Sequence, residues 1–149
     1  MDLYNTNRPA VLAMQSDDGV QFPATLVQFD RPAATLMIAG EARQTTAEQI
    51  ALHWTGNYTV FWKPPSDFAG VVRPGYKGEM VPWLAKRLAE VGETSEISGS
   101  IYNRELALCV KKFQIKAGLV PDGIAGVQTI IQLNTRTDKD IPRLHDDIP

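Results

Sequence analysis

The sequence predicts an α+β protein, in which a small antiparallel sheet with one helix precedes a three-helix bundle. Residues 8–62 consist of short β-branched or aromatic stretches separated by turn residues, a pattern typical of antiparallel strands. Beyond residue 65, apolar side chains recur at spacings of three and four between glycines, which indicates short helices. Pro64 and Pro65 lie between the two patterns and indicate a change of structure.

The first half predicts four strands, at residues 11–15, 20–29, 35–39 and 58–62. Pro23 limits how central the second strand can be, because proline has no N–H for a strand ladder. Residues 45–54 predict a short helix between the last two strands. Thr45 and Glu48 have the spacing of a capping box at its start.

The second half predicts helices at residues 79–91 and 103–117, and a shorter third helix after Gly126. Asn103 is a suitable N-cap for the second helix. Gly92 and Gly118 are expected to end the first two helices. The predicted organisation is therefore a β-rich domain at residues 1–66, a helical domain at 67–136, and a polar tail at 137–149 that lies on the surface or frays.

Composition excludes some partners. The 15 basic and 17 acidic residues leave no long basic stripe, so we expect no nucleic acid partner. The single Cys109 cannot form an internal disulfide. No apolar run is long enough to cross a bilayer, and residues 1–7 lack a secretory signal. A membrane segment or signal would then belong to a longer parent chain, which is a hypothesis.

An ordered series of residues from 71 to 134 resembles the three-helix peptidoglycan-binding domain found beside many cell-wall hydrolases. Its parts are Val72-Arg73-Pro74-Gly75, Gly78, Val81, Leu84, Leu88, Ala107, Val110, Phe113-Gln114, Gly118-Leu119, Asp122-Gly123-Ile124-Ala125-Gly126, Thr129 and Leu133-Asn134. The resemblance implies recognition of peptidoglycan. Asn103 departs from it, because the family usually has an acidic residue there.

A candidate groove follows from the residue types in this series. Tight glycine turns expose backbone amides, and polar side chains near them suit a ligand made of amides and carboxylates. Arg73 can bind a stem-peptide carboxylate through two hydrogen bonds. For each polar residue taken singly, a structural role is favoured over ligand contact. The candidate groove comprises Arg73, Asn103, Gln114, Gly118, Asp122, Gly123, Gly126 and Thr129.

A second resemblance is carried by residues 52–65, followed by Arg73-Pro74-Gly75 and Val81-Pro82-Trp83-Leu84. These residues are similar to the periplasmic end of the general secretion pathway protein A family, inner-membrane ATPases of type II secretion. The resemblance implies that residues 1–66 are a degenerate papain-like peptidase subdomain. It also implies a role in placing the secretin in the wall, together with a partner called protein B.

The residues argue against catalysis in this segment. Cys109 lies on an apolar helix face, where a buried structural thiol is favoured. Residues 22–29, where the peptidase family carries its histidine, contain none, and His53 and His145 lack metal-ligand spacing. The tryptophans raise the alternative of stacking on sugar rings, although core or inter-domain packing is favoured for Trp54 and Trp62.

We therefore expect a non-catalytic, periplasmic, peptidoglycan-binding segment of an inner-membrane-anchored secretion protein, without cofactor or metal. Binding is expected to be weak for each copy, so self-association would raise avidity. Two alternatives stay open. The chain is a fragment of a cell-wall hydrolase, or it is a protein-interaction or oligomerisation module that does not use its groove.

Overall fold

The structure, a computed structural model, describes residues 3–93 and 99–146. It confirms the α+β class. The chain divides into a sheet unit, Met1–Trp62 with Asp140–Pro149, and a helical unit, Lys63–Lys139. The first boundary lies within four residues of the predicted one, but the last residues belong to the sheet unit.

The sheet unit is a five-stranded antiparallel sheet with two short helices. The strands are ordered β4-β3-β2-β1-β5. Its elements along the chain are α1 (Leu3–Thr6), β1 (Ala10–Gln15), β2 (Gln21–Asp30), β3 (Ala33–Ile38), β4 (Glu41–Thr46), α2 (Ala47–His53) and β5 (Trp54–Val60). Side chains alternate between the two faces of each strand, and one face forms the core of the sheet unit. Leu12 and Met14 of β1 are buried on the face that also buries Leu26 of β2.

Two details of the sheet differ from expectation. Strand β4 was not predicted, because none of its six residues is buried and an edge strand with alanine as its single apolar residue gives little hydrophobic signal. Strand β2 is the central strand despite Pro23. The proline is tolerated because residues 21–24 pair with β1 alone, whereas the pairing with β3 begins at Thr25.

The predicted helix before β5 is present, but its cap is displaced by one residue. Thr46, not Thr45, is the N-cap, and its hydroxyl accepts a hydrogen bond from the Gln49 N–H at 3.3 Å. The Thr45 hydroxyl instead contacts the Gln49 side chain at 2.8 Å. The expected capping box with Glu48 is therefore wrong in register, although a threonine does begin the helix.

The expectation that residues 137–149 lie on the surface or fray is wrong for Leu144 and His145. Thr137 ends a helix, and Leu144 and His145 are only 1% and 6% exposed. Phe29 of β2 donates its N–H to the Leu144 carbonyl at 2.8 Å. The segment is polar overall, but Leu144 supplies one apolar residue to the core of the sheet unit.

The helical unit contains the three predicted helices and a two-stranded pairing that the sequence did not predict. Its elements are β6 (Val71–Val72), α3 (Met80–Glu90), α4 (Arg104–Lys116), β7 (Ala125–Gly126) and α5 (Val127–Thr137). Leu84, Leu88, Val110, Phe113 and Ile130 are almost fully buried. Each such side chain contributes roughly 1.5–3 kcal/mol to folding. Within the described ranges, no helix combines the length and apolar character needed to cross a membrane.

Asn7 joins the last described residues to the start of the chain. Its amide Nδ2 donates to the His145 carbonyl at 2.9 Å, and its Oδ1 accepts from the N–H groups of Leu144 and His145 at 2.8 and 3.0 Å. The side chain is buried, and its φ of 48° lies in the left-handed region that asparagine tolerates better than most residues. Asn7 therefore holds both terminal segments of the sheet unit.

We expect Asn7→Ala to lower the free energy of unfolding by about 2–4 kcal/mol, because three buried hydrogen bonds are lost. Urea denaturation followed by circular dichroism measures the change. Asn57→Ala, which removes an exposed amide of β5, is the control and should have little effect. An equal change in the two variants would contradict the role assigned to Asn7.

Candidate functional site

A buried glutamine organises the polar end of the helical unit. Gln114 of α4 is 2% exposed. Its Nε2 donates to Asp122 Oδ1, the Ile124 carbonyl and Thr129 Oγ1 at 2.9, 3.0 and 3.2 Å. Its Oε1 accepts from the Gly123 N–H at 2.9 Å. The amide is thus fully used in holding the loop between α4 and α5.

These contacts occupy three residues of the candidate groove. A ligand therefore cannot use Gln114, Thr129 or Gly123 in the way that the predicted groove requires. Thr129 is 3% exposed and its hydroxyl contacts Gln114, so both side chains are consumed inside the unit. Asp122 is exposed, but its Oδ1 accepts from Gln114 and from the Ile124 N–H at 2.8 Å. The other carboxylate oxygen, Asp122 Oδ2, forms no hydrogen bond with a described residue.

Tyr102, which the sequence analysis missed, links two loops of the helical unit. Its hydroxyl donates to the Gly123 carbonyl at 2.7 Å. Its backbone carbonyl accepts from the Gly75 N–H, and its backbone N–H donates to the Tyr76 carbonyl, both at 2.8 Å. The signal for it was available, because an apolar residue directly before an N-cap such as Asn103 often packs against the helix start. Tyr102 is 1% exposed.

The glycines of the candidate groove have different roles. Gly118 ends α4 as predicted, with φ of 67° and the Leu119 N–H donating to the Gln114 carbonyl. Gly123 has φ of 74°, and a Cβ there would lie 2.9 Å from Lys111 Cε and 3.2 Å from the Ala107 carbonyl. Gly126 has an ordinary φ of −87° and open space around it, so the expected need for glycine there is wrong.

Arg73 remains the best candidate for ligand contact. Strand β6 pairs with β7 so that Val72 lies opposite Ala125, and Arg73 directly follows β6. Arg73 is exposed, and its guanidinium forms no ion pair or hydrogen bond with a described residue. We call residues 73–78 and 118–126 the loop surface. Asn103 is exposed beside it, but its Oδ1 caps α4 by accepting from the Leu106 N–H at 2.9 Å.

The thiol and the histidines that were considered for catalysis belong to different units of the chain. Cys109 is a buried free thiol of the helical unit, whereas His53 and His145 belong to the sheet unit. His53 Nδ1 lies 3.1 Å from the Gln15 carbonyl, and the His145 ring stacks on Tyr4 at 4.2 Å. Across residues 3–93 and 99–146, no three histidine, cysteine, aspartate or glutamate side chains are grouped to hold a metal ion.

Gln114→Glu tests the organising role of the amide. The new carboxylate would face Asp122 Oδ1 and the Ile124 carbonyl with acceptors only, so we expect the free energy of unfolding to fall by about 2–4 kcal/mol. Chemical denaturation measures this loss. Glu105→Gln, on the exposed side of α4, is the control. Stability equal to that of the parent would show that the network contributes little.

Tyr102→Phe tests the link between the loops through its pH dependence. Burial, and then the charges of Asp122 and Cys109, raise the pKa of the Tyr102 phenol. Near neutral pH the variant should be less stable by about 1 kcal/mol, since one hydrogen bond is lost. Above about pH 10 the unfolded parent releases a proton that the folded parent keeps, so the parent loses stability as pH rises.

The Phe variant lacks this ionisation, so we expect the difference between the two proteins to narrow above about pH 10. Urea midpoints measured from pH 7 to pH 11 provide the comparison. A difference that stays constant over this range would contradict the assignment of a buried, neutral phenol.

A family model described as "Putative peptidoglycan binding domain" matches residues 77–133. The match covers α3, α4 and β7, and the larger part of α5. It includes Gln114, Asp122, Gly123 and Thr129, the residues of the buried network. It begins four residues after Arg73, so the match does not extend to this exposed candidate of the loop surface.

Comparisons over the whole chain agree with each other. The chain is 27% identical to general secretion pathway protein A of Aeromonas hydrophila over 98% of its own residues, but spans only 27% of that relative's length. It also resembles the crystal structure of a periplasmic domain of the EpsAB fusion protein of the Vibrio vulnificus type II secretion system. The TM-score is 0.60 and the identity 26%, covering 94% of this chain and 62% of that one. The chain is therefore similar over nearly its whole length to general secretion pathway protein A of Aeromonas hydrophila, and residues 77–133 of its helical unit match the model of a putative peptidoglycan binding domain.

Proposed function

We propose that this chain is the non-catalytic, periplasmic segment of a type II secretion assembly protein, and that it grips peptidoglycan so that the secretin can be assembled through the wall. The observation that supports this proposal most directly is the combination of a match to a peptidoglycan-binding domain with an exposed Arg73 that has no partner among the described residues. Arg73 lies on the loop surface, which is held rigidly. The homologous periplasmic domain of a secretion system supports the location and the pathway.

Recognition of peptide stems follows from the chemistry of the loop surface. The guanidinium of Arg73 offers a planar pair of donors to a carboxylate. The buried amide of Gln114 fixes the neighbouring loop before a ligand arrives, which reduces the ordering cost of binding. Gln114, Gly123 and Thr129 are thus positioning residues, whereas Arg73 and the free Oδ2 of Asp122 are the proposed contacts.

The charge distribution also favours an anionic polymer at the helical unit. The sheet unit has nine acidic and four basic residues, whereas the helical unit has eight acidic and eleven basic residues. Stem peptides carry carboxylates, so the helical unit is the unit that they approach with electrostatic attraction. The attraction is screened at physiological ionic strength beyond about 8 Å.

A catalytic role is not supported by the arrangement of reactive groups. A thiol nucleophile needs a histidine within hydrogen-bond reach. Cys109 is instead packed among the apolar residues of α4, and β2, where a papain-like relative would carry its histidine, has none. We propose accordingly that residues 1–66 retain a peptidase-like shape without its chemistry.

A partner protein is a second part of the proposal. The Vibrio vulnificus structure comes from an EpsAB fusion protein, which favours a protein B as the partner of this homologue. Self-association of this segment would raise the avidity of weak single contacts with the wall.

Co-sedimentation with purified sacculi tests the function. We expect the parent to pellet with sacculi and Arg73→Ala to bind about five- to tenfold more weakly, as expected for loss of a charge-assisted contact of about 1–1.4 kcal/mol. Arg43→Ala, which removes an exposed arginine of the sheet unit, should bind like the parent. The supernatants should contain no soluble muropeptides.

The alternatives predict other results. Release of muropeptides by the parent would identify a cell-wall hydrolase. Absence of pelleting, together with tight binding to a secretion partner, would identify a protein-interaction module. Equal pelleting of the parent and a folded Arg73→Ala variant would overturn the assignment of the loop surface.

A further inference from the structure

A cleft beside Trp83 is not used by the function proposed above. It lies within the helical unit, has a volume of about 480 Å³, and is lined by the loop before β6 and by the first turns of α3. This volume is in the range of small-molecule sites, about 300–1,000 Å³. The lining side chains with a recognisable binding chemistry are Ser66, Asp67, Glu79, Pro82, Trp83 and Lys86.

Trp83 is a half-buried ring held in a fixed orientation. The Arg87 guanidinium carbon lies 5.5 Å from the ring centroid. Arg87 is itself anchored, because it forms an ion pair with Asp138 at 2.6 Å and donates to the Thr137 hydroxyl at 2.9 Å. The indole N–H forms no hydrogen bond within the described part of the chain. The ring is therefore an organised apolar platform with one donor still to satisfy.

The polar groups of the cleft also lack protein partners. Among the described residues, Asp67, Glu79 and Lys86 form neither an ion pair nor a side-chain hydrogen bond, and all three are exposed. Two unpaired carboxylates disfavour an anionic ligand. They favour a neutral ligand with several hydroxyl or amide donors, and Lys86 offers one donor to a carbonyl oxygen.

We propose that this cleft binds the glycan strand of peptidoglycan, with the Trp83 ring stacked on a sugar face and Asp67 and Glu79 accepting hydrogen bonds from its hydroxyl and acetamido groups. The choice of glycan rests on the proposed wall-binding function, but the residues differ from those of the loop surface. The helical unit then has two contacts, one for the peptide stem and one for the sugar backbone.

A proline-rich peptide is the other ligand that a tryptophan cleft commonly takes. It fits less well here, because proline has no N–H and such a peptide supplies few donors to Asp67 and Glu79. A sugar polymer has donors along its whole length. Because the cleft has more hydrogen-bond acceptors than donors, we favour a glycan over a proline-rich peptide as its ligand.

The test uses a peptide-free probe, the soluble pentamer of β-1,4-linked N-acetylglucosamine, titrated into the 149-residue protein by isothermal calorimetry. We expect measurable binding by the parent. Trp83→Ala should weaken it about tenfold, consistent with loss of one aromatic contact. Glu79→Gln, on an exposed side chain that does not disturb the core, should weaken it about threefold, because a neutral amide oxygen accepts a weaker hydrogen bond than a carboxylate does.

Phe61→Ala removes an exposed aromatic ring of the sheet unit and should bind like the parent. Trp83→Phe keeps a ring next to Arg87 and should retain part of the affinity. Circular dichroism establishes that each variant is folded. If Trp83→Ala does not fold, Glu79→Gln still tests the cleft.

Failure of this inference is distinguishable from failure of the proposed function. A parent that pellets with sacculi but shows no binding of the pentamer overturns the glycan site and leaves the wall-binding function intact. Unchanged affinity in folded Trp83→Ala and Glu79→Gln also overturns it, as does displacement of the pentamer by a proline-rich peptide at equal concentration. Unchanged pentamer binding by Arg73→Ala supports two separate contacts.

Discussion

The hydrogen bonds of one buried amide, Gln114, are the constraint on which the loop surface depends. A glutamine side chain has two N–H hydrogens and an acceptor oxygen, and here it meets three acceptors and one backbone donor. Buried polar groups are stable only when paired, so the loop from Asp122 to Ile124 is held in one conformation. The loop at residues 73–78 is connected to it through Tyr102. The backbone of Tyr102 bonds to Gly75 and Tyr76, and its hydroxyl donates to the Gly123 carbonyl. The exposed Arg73 therefore lies on a support that is ordered without ligand.

This arrangement separates the polar residues of the helical unit by role. Gln114 and Thr129 are buried and hydrogen-bonded to each other, whereas Arg73 and the Trp83 cleft have groups without partners among the described residues. Asp122 belongs to both sets, because one carboxylate oxygen is fixed and the other is free. Under the proposed function, each such contact would be weak, and many of them would act together along a wall polymer that repeats the same chemistry.

The sequence predicted the elements with strong apolar periodicity well. Helices α3 and α4 lie within about two residues of prediction, because Leu84, Leu88, Val110 and Phe113 mark one face and glycines end both helices. Strand β4 was missed because it buries nothing. The sequence left open whether Gln114 and Thr129 have a structural role or contact a ligand, because a polar residue near a turn gives the same pattern whether it faces solvent or a buried partner. Only the packing around Gln114 distinguishes the two, and the burial of Leu144 likewise depends on contacts distant in sequence.

The return of residues 140–146 to the sheet unit makes the helical unit an insertion with two covalent connections, at residues 62–63 and 139–140. Asn7 and Phe29 hold the second connection through Leu144 and His145. Under the proposed function, the helical unit is subject to mechanical load whenever the wall that it binds is stretched. Here the tension passes to the sheet through both ends of the insertion, so each connection bears only part of the pull. A module attached at one end would transmit the entire force through a single strand.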